Sequence, residues 1–357
     1  MSFASIWTQF FPPRNGAPLT EHNLPSQTGK VFIVTGGSSG IGYELSRILY
    51  GAGGRVYILT RSKENAENAI TRIRAHYAGV VNTHGPAGDD HRGEGTGRLH
   101  FIQMDLTDFE SVRAAVNQFL DQEGPEGRLD VLFNNAGTGA RKNAPPSRQG
   151  HDYHFSINSL GPYLLTQLLT PILHKTARRL PKDHVRVIWP SSVLVDMSAP
   201  KTGIRPEFLQ NPESLKDANE AYITSRTSSW FLASEFARRQ FEAGGGDPGP
   251  GVVHVAGNPG NYLTNIWRHT PSLLYYVLWP ILRDPVHGAE TYLWMAFSES
   301  VTIEDAVAGR YAICDGRWHP GQREDLVLAL RGTEEGGSGR AREYFEWCDS
   351  RVKEFVS

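Results

Sequence analysis

The run TGGSSGIG (Thr35 to Gly42) constrains this chain more than any other feature in it. The apolar segment VFIV (Val31 to Val34) precedes it, and Ile41, Leu45, Ile48 and Leu49 recur at i, i+4, i+7 and i+8, the period of an amphipathic helix. A strand, a glycine-rich turn and a helix in that order present backbone N–H groups and a helix N-terminus to an anion, and a dinucleotide pyrophosphate fits there. Gly36, Gly40 and Gly42 supply a tight turn, close approach of backbone to ligand, and close packing of helix on strand. Ser38, Ser39 and Ile41 belong to the same expected cradle.

Strand and helix signals alternate along the rest of the chain. RVYILT (Arg55 to Thr60) reads as a second strand, followed by a helix with Ala66, Ala69, Ile70 and Ile73 on its apolar side. The segment from about Gly79 to Gly97, rich in Gly, Asp and His, reads as a mobile surface insertion, and His91 within it as a solvated residue. RLHFIQMDL, LDVLF, VRVIW and VVHVAG read as further strands, the fifth ending at Ser192, and GRYAIC as a last edge strand. Between Ser192 and Tyr222, Pro200, Pro206 and Pro212 rule out a long helix. This rhythm predicts an α/β fold, a doubly wound, Rossmann-type parallel sheet with helices on both faces, in a single domain with insertions. Right-handed crossovers then place the strand C-termini, and the motifs on them, along one edge.

The spacing TGxxxGIG departs from the ordinary GxGxxG fingerprint and resembles the short-chain dehydrogenase/reductase family. Further matches come in the family's order: NNAG (Asn134 to Gly137), Asn158 in FSINSLGPYLLTQLL, the pair Ser191 and Ser192, Tyr222 in YITSR, and NPGNYLT (Asn258 to Thr264). They span roughly two thirds of the chain. Its long C-terminal part and VRVIWxSS pattern look most like the retinol-dehydrogenase-like and fungal secondary-metabolite branches. The expected organisation is an aromatic N-terminal extension over 1–28, the dinucleotide-binding domain over 29–330 with a helical substrate lid at about 265–285, and a C-terminal loop and helix over 331–357.

The resemblance implies roles for residues at matching positions. Asp105 meets the adenine amino group and Leu106 packs on the ring; Asn135, Ala136 and Gly137 shape the cofactor pocket; Pro259, Gly260 and Thr264 hold the nicotinamide carboxamide. In the family a tyrosine exchanges the proton, a serine orients the carbonyl, an asparagine holds a relay water, and a lysine four residues after the tyrosine lowers its pKa and grips the ribose. Tyr222, Ser192 and Asn158 match three of these. The fourth position is Arg226, which keeps the charge on the same helix face at i+4 but is planar and permanently protonated. Where an NAD site carries an acid at the end of the second strand, this chain has Thr60 and Arg61; a guanidinium there favours NADP(H), with Ser62 or Lys63 assisting.

The leading expectation is an NADP(H)-dependent reductase of a ketone or aldehyde, or the reverse alcohol dehydrogenase, acting on a lipophilic or aromatic small molecule in secondary metabolism; the aromatic stretch Trp267 to Trp279 suits such a substrate. The alternatives are a non-redox cyclase or isomerase, and a catalytically impaired NADP-binding protein, on the same fold. A net charge of −2 from 36 basic and 38 acidic side chains leaves no nucleic-acid footprint. Two cysteines, Cys314 and Cys348, suit a reducing, cytoplasmic setting and form no metal-ligand pattern. PSLLYYVLWPIL is too short to cross a bilayer. No secretory signal is read at the N-terminus, whose Trp7, Phe10 and Phe11 are expected to pack on the body, with a peripheral membrane contact left open. The resemblance also implies a homodimer as one arrangement.

Overall fold

The computed structural model describes residues 3–11, 13, 15–83, 97–246, 249–269, 275–276 and 279–356. Eight strands form one sheet: β1 (Val31–Thr35), β2 (Arg55–Thr60), β3 (Arg98–Gln103), β4 (Val131–Phe133), β5 (Val185–Pro190), β6 (Val252–Gly257), β7 (Tyr311–Ile313) and β8 (Arg317–Trp318). Their order is β3-β2-β1-β4-β5-β6-β7-β8, all pairs parallel except the last. The central strands are near-continuous apolar runs because both sheet faces are covered. Alternation sorts their side chains: Val31, Ile33, Leu132 and Val187 enter one core, Phe32, Val34, Phe133 and Val255 the other.

The helices that position the site are α1 (Phe3–Phe10), α2 (Gly40–Gly51), α3 (Lys63–Thr83), α4 (Phe109–Glu123), α5 (Gly161–Ala177), α6 (Val193–Ser198), α7 (Ala218–Ala243), α8 (Val286–Phe297) and α9 (Arg340–Val356). Leu45, Ile48 and Leu49 of α2 and Tyr292, Leu293 and Met295 of α8 cover one face. Residues of α4, α5, α7 and α9, among them Phe109, Leu165, Phe231 and Tyr344, cover the other. Strand order reverses between β1 and β4, so their C-terminal ends open a crevice, the usual ligand position in an open α/β sheet.

Several expectations need correction. The fifth strand stops at Pro190, because Ser192 turns away to cap α6 with its hydroxyl, accepting from the Leu194 amide. GRYAIC is not the edge: Asp315 and Gly316, at φ 61° and 65°, make a tight hairpin that adds β8 outside β7. Helix α3 runs through Thr83, so Gly79 to Thr83 are helical; the remainder of the expected insertion, His91 included, lies outside the described residues. The lid segment contains short 3-10 turns at Asn265–His269 and Trp279–Ile281; Leu273 and Leu274 lie outside the described residues. Trp7 and Phe11 are half exposed and stack on one another at 4.0 Å, Phe10 is half-buried, and α1 also docks through hydrogen bonds of Ser5 and Gln9. Among the described residues no helix is long and apolar enough to cross a membrane, and no group of His, Cys, Asp and Glu is arranged to hold a metal.

Buried His254 ties this core to pH. Trp189 Nε1 donates to its Nδ1 at 3.2 Å, the Phe236 ring stacks on it at 4.8 Å, and burial holds its pKa down at about 3. The folded state therefore disfavours the imidazolium: His254 contributes its full stability above the ordinary histidine pKa of 6.5 and loses it progressively as pH falls towards about 3. We expect thermal unfolding midpoints to drop between pH 7 and pH 5, and the drop to be shallower in His254→Leu; equal slopes would remove His254 from the acid transition.

Candidate functional site

The glycine turn is clamped to the end of β4. Ala136 N donates to Thr35 Oγ1 at 2.8 Å, Thr35 Oγ1 donates to Phe133 O at 3.3 Å, and Asn135 Nδ2 donates to Thr35 O at 2.8 Å. Gly36 and Gly40 sit at φ 65° and 54°, the left-handed region. A methyl group on Gly42 would fall 2.4 Å from Asn135 Nδ2 and 2.5 Å from Gly36 O, so only glycine lets α2 start this close to β1. Ser39 occupies the N-cap of α2 but makes no side-chain cap, so it takes up none of the first amide donors. Ser38 is half-buried beside it, and Ile41 packs against the α8 backbone at Gly288. This uncapped, Cβ-free cradle fits a pyrophosphate.

Residues implied for the rest of a dinucleotide frame the same crevice. Asp105 Oδ1 accepts from the Thr107 amide and hydroxyl at 2.9 and 2.8 Å, which fixes its carboxylate, and Leu106 is buried next to it. Arg61 is exposed, has no carboxylate partner among the described residues, and accepts Gln103 Nε2 on its carbonyl at 3.0 Å. Lys63 is drawn towards Glu67 at 3.8 Å, and Ser62 Oγ accepts from the Asn65 amide. After β6, Pro259 O accepts from Tyr262 Oη at 2.6 Å and Thr291 Oγ1 at 3.2 Å, while Gly260 takes φ 115°. Thr264 then returns over the glycine turn: a methyl on Gly40 would lie 3.0 Å from its Cγ2.

Helix α7 gathers the other group of residues. Tyr222 is half-buried and Arg226 is buried, one turn further on. The Arg226 guanidinium carbon lies 5.6 Å from the Tyr222 ring centroid, Nη1 donates to Pro190 O at 3.3 Å, and Nη2 would be 2.2 Å from a methyl on Gly137. No carboxylate pairs with Arg226 among the described residues, and its Nε has no partner. A buried, unpaired cation is costly unless something else uses its charge. Ser191 donates to Arg226 O at 2.9 Å, which occupies its hydroxyl; Ser192 Oγ, engaged only as an acceptor, retains its proton for another partner. Tyr311 Oη bonds both the amide and the carbonyl of Ser192, at 3.2 and 3.1 Å.

Asn158 sits in a π-helical turn, Ser156–Leu160, ahead of α5. Its Oδ1 accepts from Thr138 N at 2.9 Å, and its Nδ2 donates to Thr138 O at 3.2 Å and Ser225 Oγ at 2.9 Å. Its carbonyl accepts from Ser229 Oγ at 3.2 Å. Asn158 therefore locks the loop after β4 onto α7, and Ser225 and Ser229 are α7 hydroxyls that the motif reading passed over. Their signal was the unusual serine content of the α7 segment, TSRTSS.

Comparisons with known proteins show the family and the fold. The family profile described as short chain dehydrogenase matches residues 30–198. A short-chain dehydrogenase/reductase of Phomopsis amygdali is 38% identical over 360 aligned positions, covering 99% of this chain and 98% of that protein. Among solved structures, Pseudomonas aeruginosa RhlG in an NADP active-site complex aligns with a TM-score of 0.57 at 23% identity, over 82% of this chain and 98% of that one. The 3-ketoacyl-(acyl-carrier-protein) reductase of Brucella melitensis complexed with NADH aligns at 0.55 and 19%, over 81% and 97%. At these identities the two structures share the fold with this chain.

Proposed function

The chain belongs to the short-chain dehydrogenase/reductase family, and we propose that within it this protein is an NADP(H)-dependent reductase of a ketone or aldehyde on a lipophilic small molecule, or the corresponding alcohol dehydrogenase. An oxidoreductase with a nicotinamide cofactor is what family membership gives; the choice of NADP, the carbonyl substrate and the residue roles are our reading. The observation that carries it is the buried Arg226 cation, with no carboxylate among the described residues to neutralise it, held over the Tyr222 ring.

A bound nicotinamide supplies or accepts the hydride. The chain's own residues handle the oxygen. Ser192 Oγ–H orients the carbonyl, and Tyr222 Oη gives up the proton as charge develops on that oxygen. Arg226 places permanent positive charge beside the ring that loses the proton. Gly137 leaves room for its Nη2. Asn158, with every polar atom engaged by protein groups, acts as a brace for the loop following β4 rather than as a freely donating group.

Arg61 supports NADP(H): it stands exposed at the end of β2 with no carboxylate partner among the described residues, and its guanidinium can form paired hydrogen bonds with a 2′-phosphate. Arg61→Ala should raise the Michaelis constant for NADPH by about tenfold or more while moving that for NADH by less than about threefold, consistent with loss of a charge-assisted contact. Equal changes for both nucleotides would remove Arg61 as the discriminator.

A further inference from the structure

We propose that Gln9, on the N-terminal helix outside the dinucleotide-binding fold, is a positioning residue of the active centre that sets the loop after β6 against the helix capped by Ser192. The inference rests on the catalytic reading given above for that loop and for Ser192. Gln9 is buried, and its amide spans two segments far apart in the chain. Its Oε1 accepts from Asn258 Nδ2 at 2.9 Å, its Nε2 donates to Asp196 Oδ2 at 2.8 Å and to Ser5 O at 3.1 Å, and the same Nε2 lies 3.4 Å from His319 Nε2, which shares Asp196 Oδ2 with it.

The neighbours leave this amide one orientation. Asn258 Oδ1 accepts from Gly260 N at 3.0 Å, closing the Asn-Pro-Gly turn, so the side of Asn258 facing Gln9 is its NH2. Gly321 N donates to His319 Nδ1 at 3.1 Å, so the imidazole carries its proton on Nε2 and gives it to Asp196 Oδ2 at 2.9 Å. Asp196 thus presents an acceptor to Gln9, and a flipped amide would set oxygen against oxygen at one end and NH2 against NH2 at the other.

Asp196 lies one helical turn beyond Ser192 in α6, and Asn258 immediately precedes Pro259 and Gly260. One rigid, buried side chain therefore fixes the spacing between the hydroxyl assigned to the carbonyl and the loop assigned to the nicotinamide. Cys314 Sγ to Gln9 O at 3.3 Å and Arg317 Nη2 to Thr8 O at 2.7 Å hold the end of α1 while the amide does this. A docking helix alone has no need of a residue that accepts at one end and donates at the other; an apolar side chain would bury as well.

The test compares Gln9→Met, which fills the space without the hydrogen bonds, and Gln9→Asn, which keeps the amide but is too short to span both partners, with Ser5→Ala. Ser5→Ala loses the contact of α1 with Gly321 O at 3.1 Å without touching Asn258 or Asp196. In the full-length chain, both Gln9 variants should speed amide hydrogen exchange across 258–264 and raise the dissociation constant for NADPH, read by its fluorescence, by about tenfold, the size expected for a broken buried hydrogen bond. Ser5→Ala should leave both within about twofold. Indistinguishable behaviour of the Gln9 variants and Ser5→Ala would reduce α1 to a structural cover, and unchanged exchange across 258–264 in the Gln9 variants would overturn the proposal. The exchange measurement needs no cofactor, so it decides on Gln9 even if no carbonyl compound proves to be reduced, an outcome that would count against the catalytic reading instead.

Discussion

Tyr222→Phe should lower carbonyl reduction by about a hundred- to ten-thousandfold while leaving NADPH affinity within about twofold, because the substitution removes one hydroxyl and nothing else. The ring stays packed against the α7 side of the core and beneath the Arg226 guanidinium. Among the described residues the glycine turn and the loop after β6 are held by hydrogen bonds that do not involve the Tyr222 hydroxyl, so cofactor binding has no reason to change. Turnover numbers and nucleotide titrations on the same preparation separate the two effects. Retention of more than about a tenth of the activity would assign the proton to another group, given the usual size of general acid–base contributions.

The second large effect has two halves that move in opposite directions. Arg226→Met should reduce turnover by about a hundredfold, the scale seen when a preorganised electrostatic contact is lost at a reacting centre. The same variant should melt at the same temperature as the parent or higher. Arg226 is buried with no carboxylate partner among the described residues and with Nε unbonded there, and exchanging such a charge for an apolar side chain of similar length removes a desolvation cost. Arg226→Lys keeps the positive charge and should keep or raise reduction. If Arg226→Met instead melts several degrees lower with turnover intact, the guanidinium is there for its bond to Pro190 O and its packing on Gly137, not for chemistry.

These two variants probe what the sequence made visible. TGGSSGIG, the Asn134 to Gly137 run and the Tyr222/Arg226 pair were legible because each encodes local geometry: left-handed turns, a close approach that admits no Cβ, and two side chains one helical turn apart. The Asp315-Gly316 dipeptide was equally local and did signal a hairpin, but the short strand beyond it holds too few residues to show an alternating pattern. What could not be read were long-range polar matches. Nothing near Arg226 in the chain says that no acid will face it in the fold. Gln9 meets Asp196 and Asn258 across 187 and 249 positions, and no periodicity relates them. The aromatic residues of the N-terminus suggested apolar docking, and nothing among them pointed to the hydrogen bonds that Ser5 and Gln9 add on the polar side of α1 while Trp7 and Phe11 stay half exposed.

Asn158 shows the same division from the other side. Its place in the order of motifs was plain, but the four hydrogen bonds that turn it into a brace come from Thr138, Ser225 and Ser229, residues with no motif of their own. A π-helical turn at Ser156–Leu160 swings it towards α7, and such turns leave little trace in a pattern of apolar spacing.

The central claim, that the Tyr222 and Arg226 pair serves hydride chemistry at a carbonyl, is tested most directly by following NADPH deuterated at its transferring position through reaction with a panel of hydrophobic ketones and aldehydes. The account predicts one NADPH consumed for each alcohol formed, with deuterium on the carbinol carbon, and loss of both in Tyr222→Phe. Product formed without net NADPH consumption, or label absent from the product, would contradict it and assign the same pocket to a non-redox reaction.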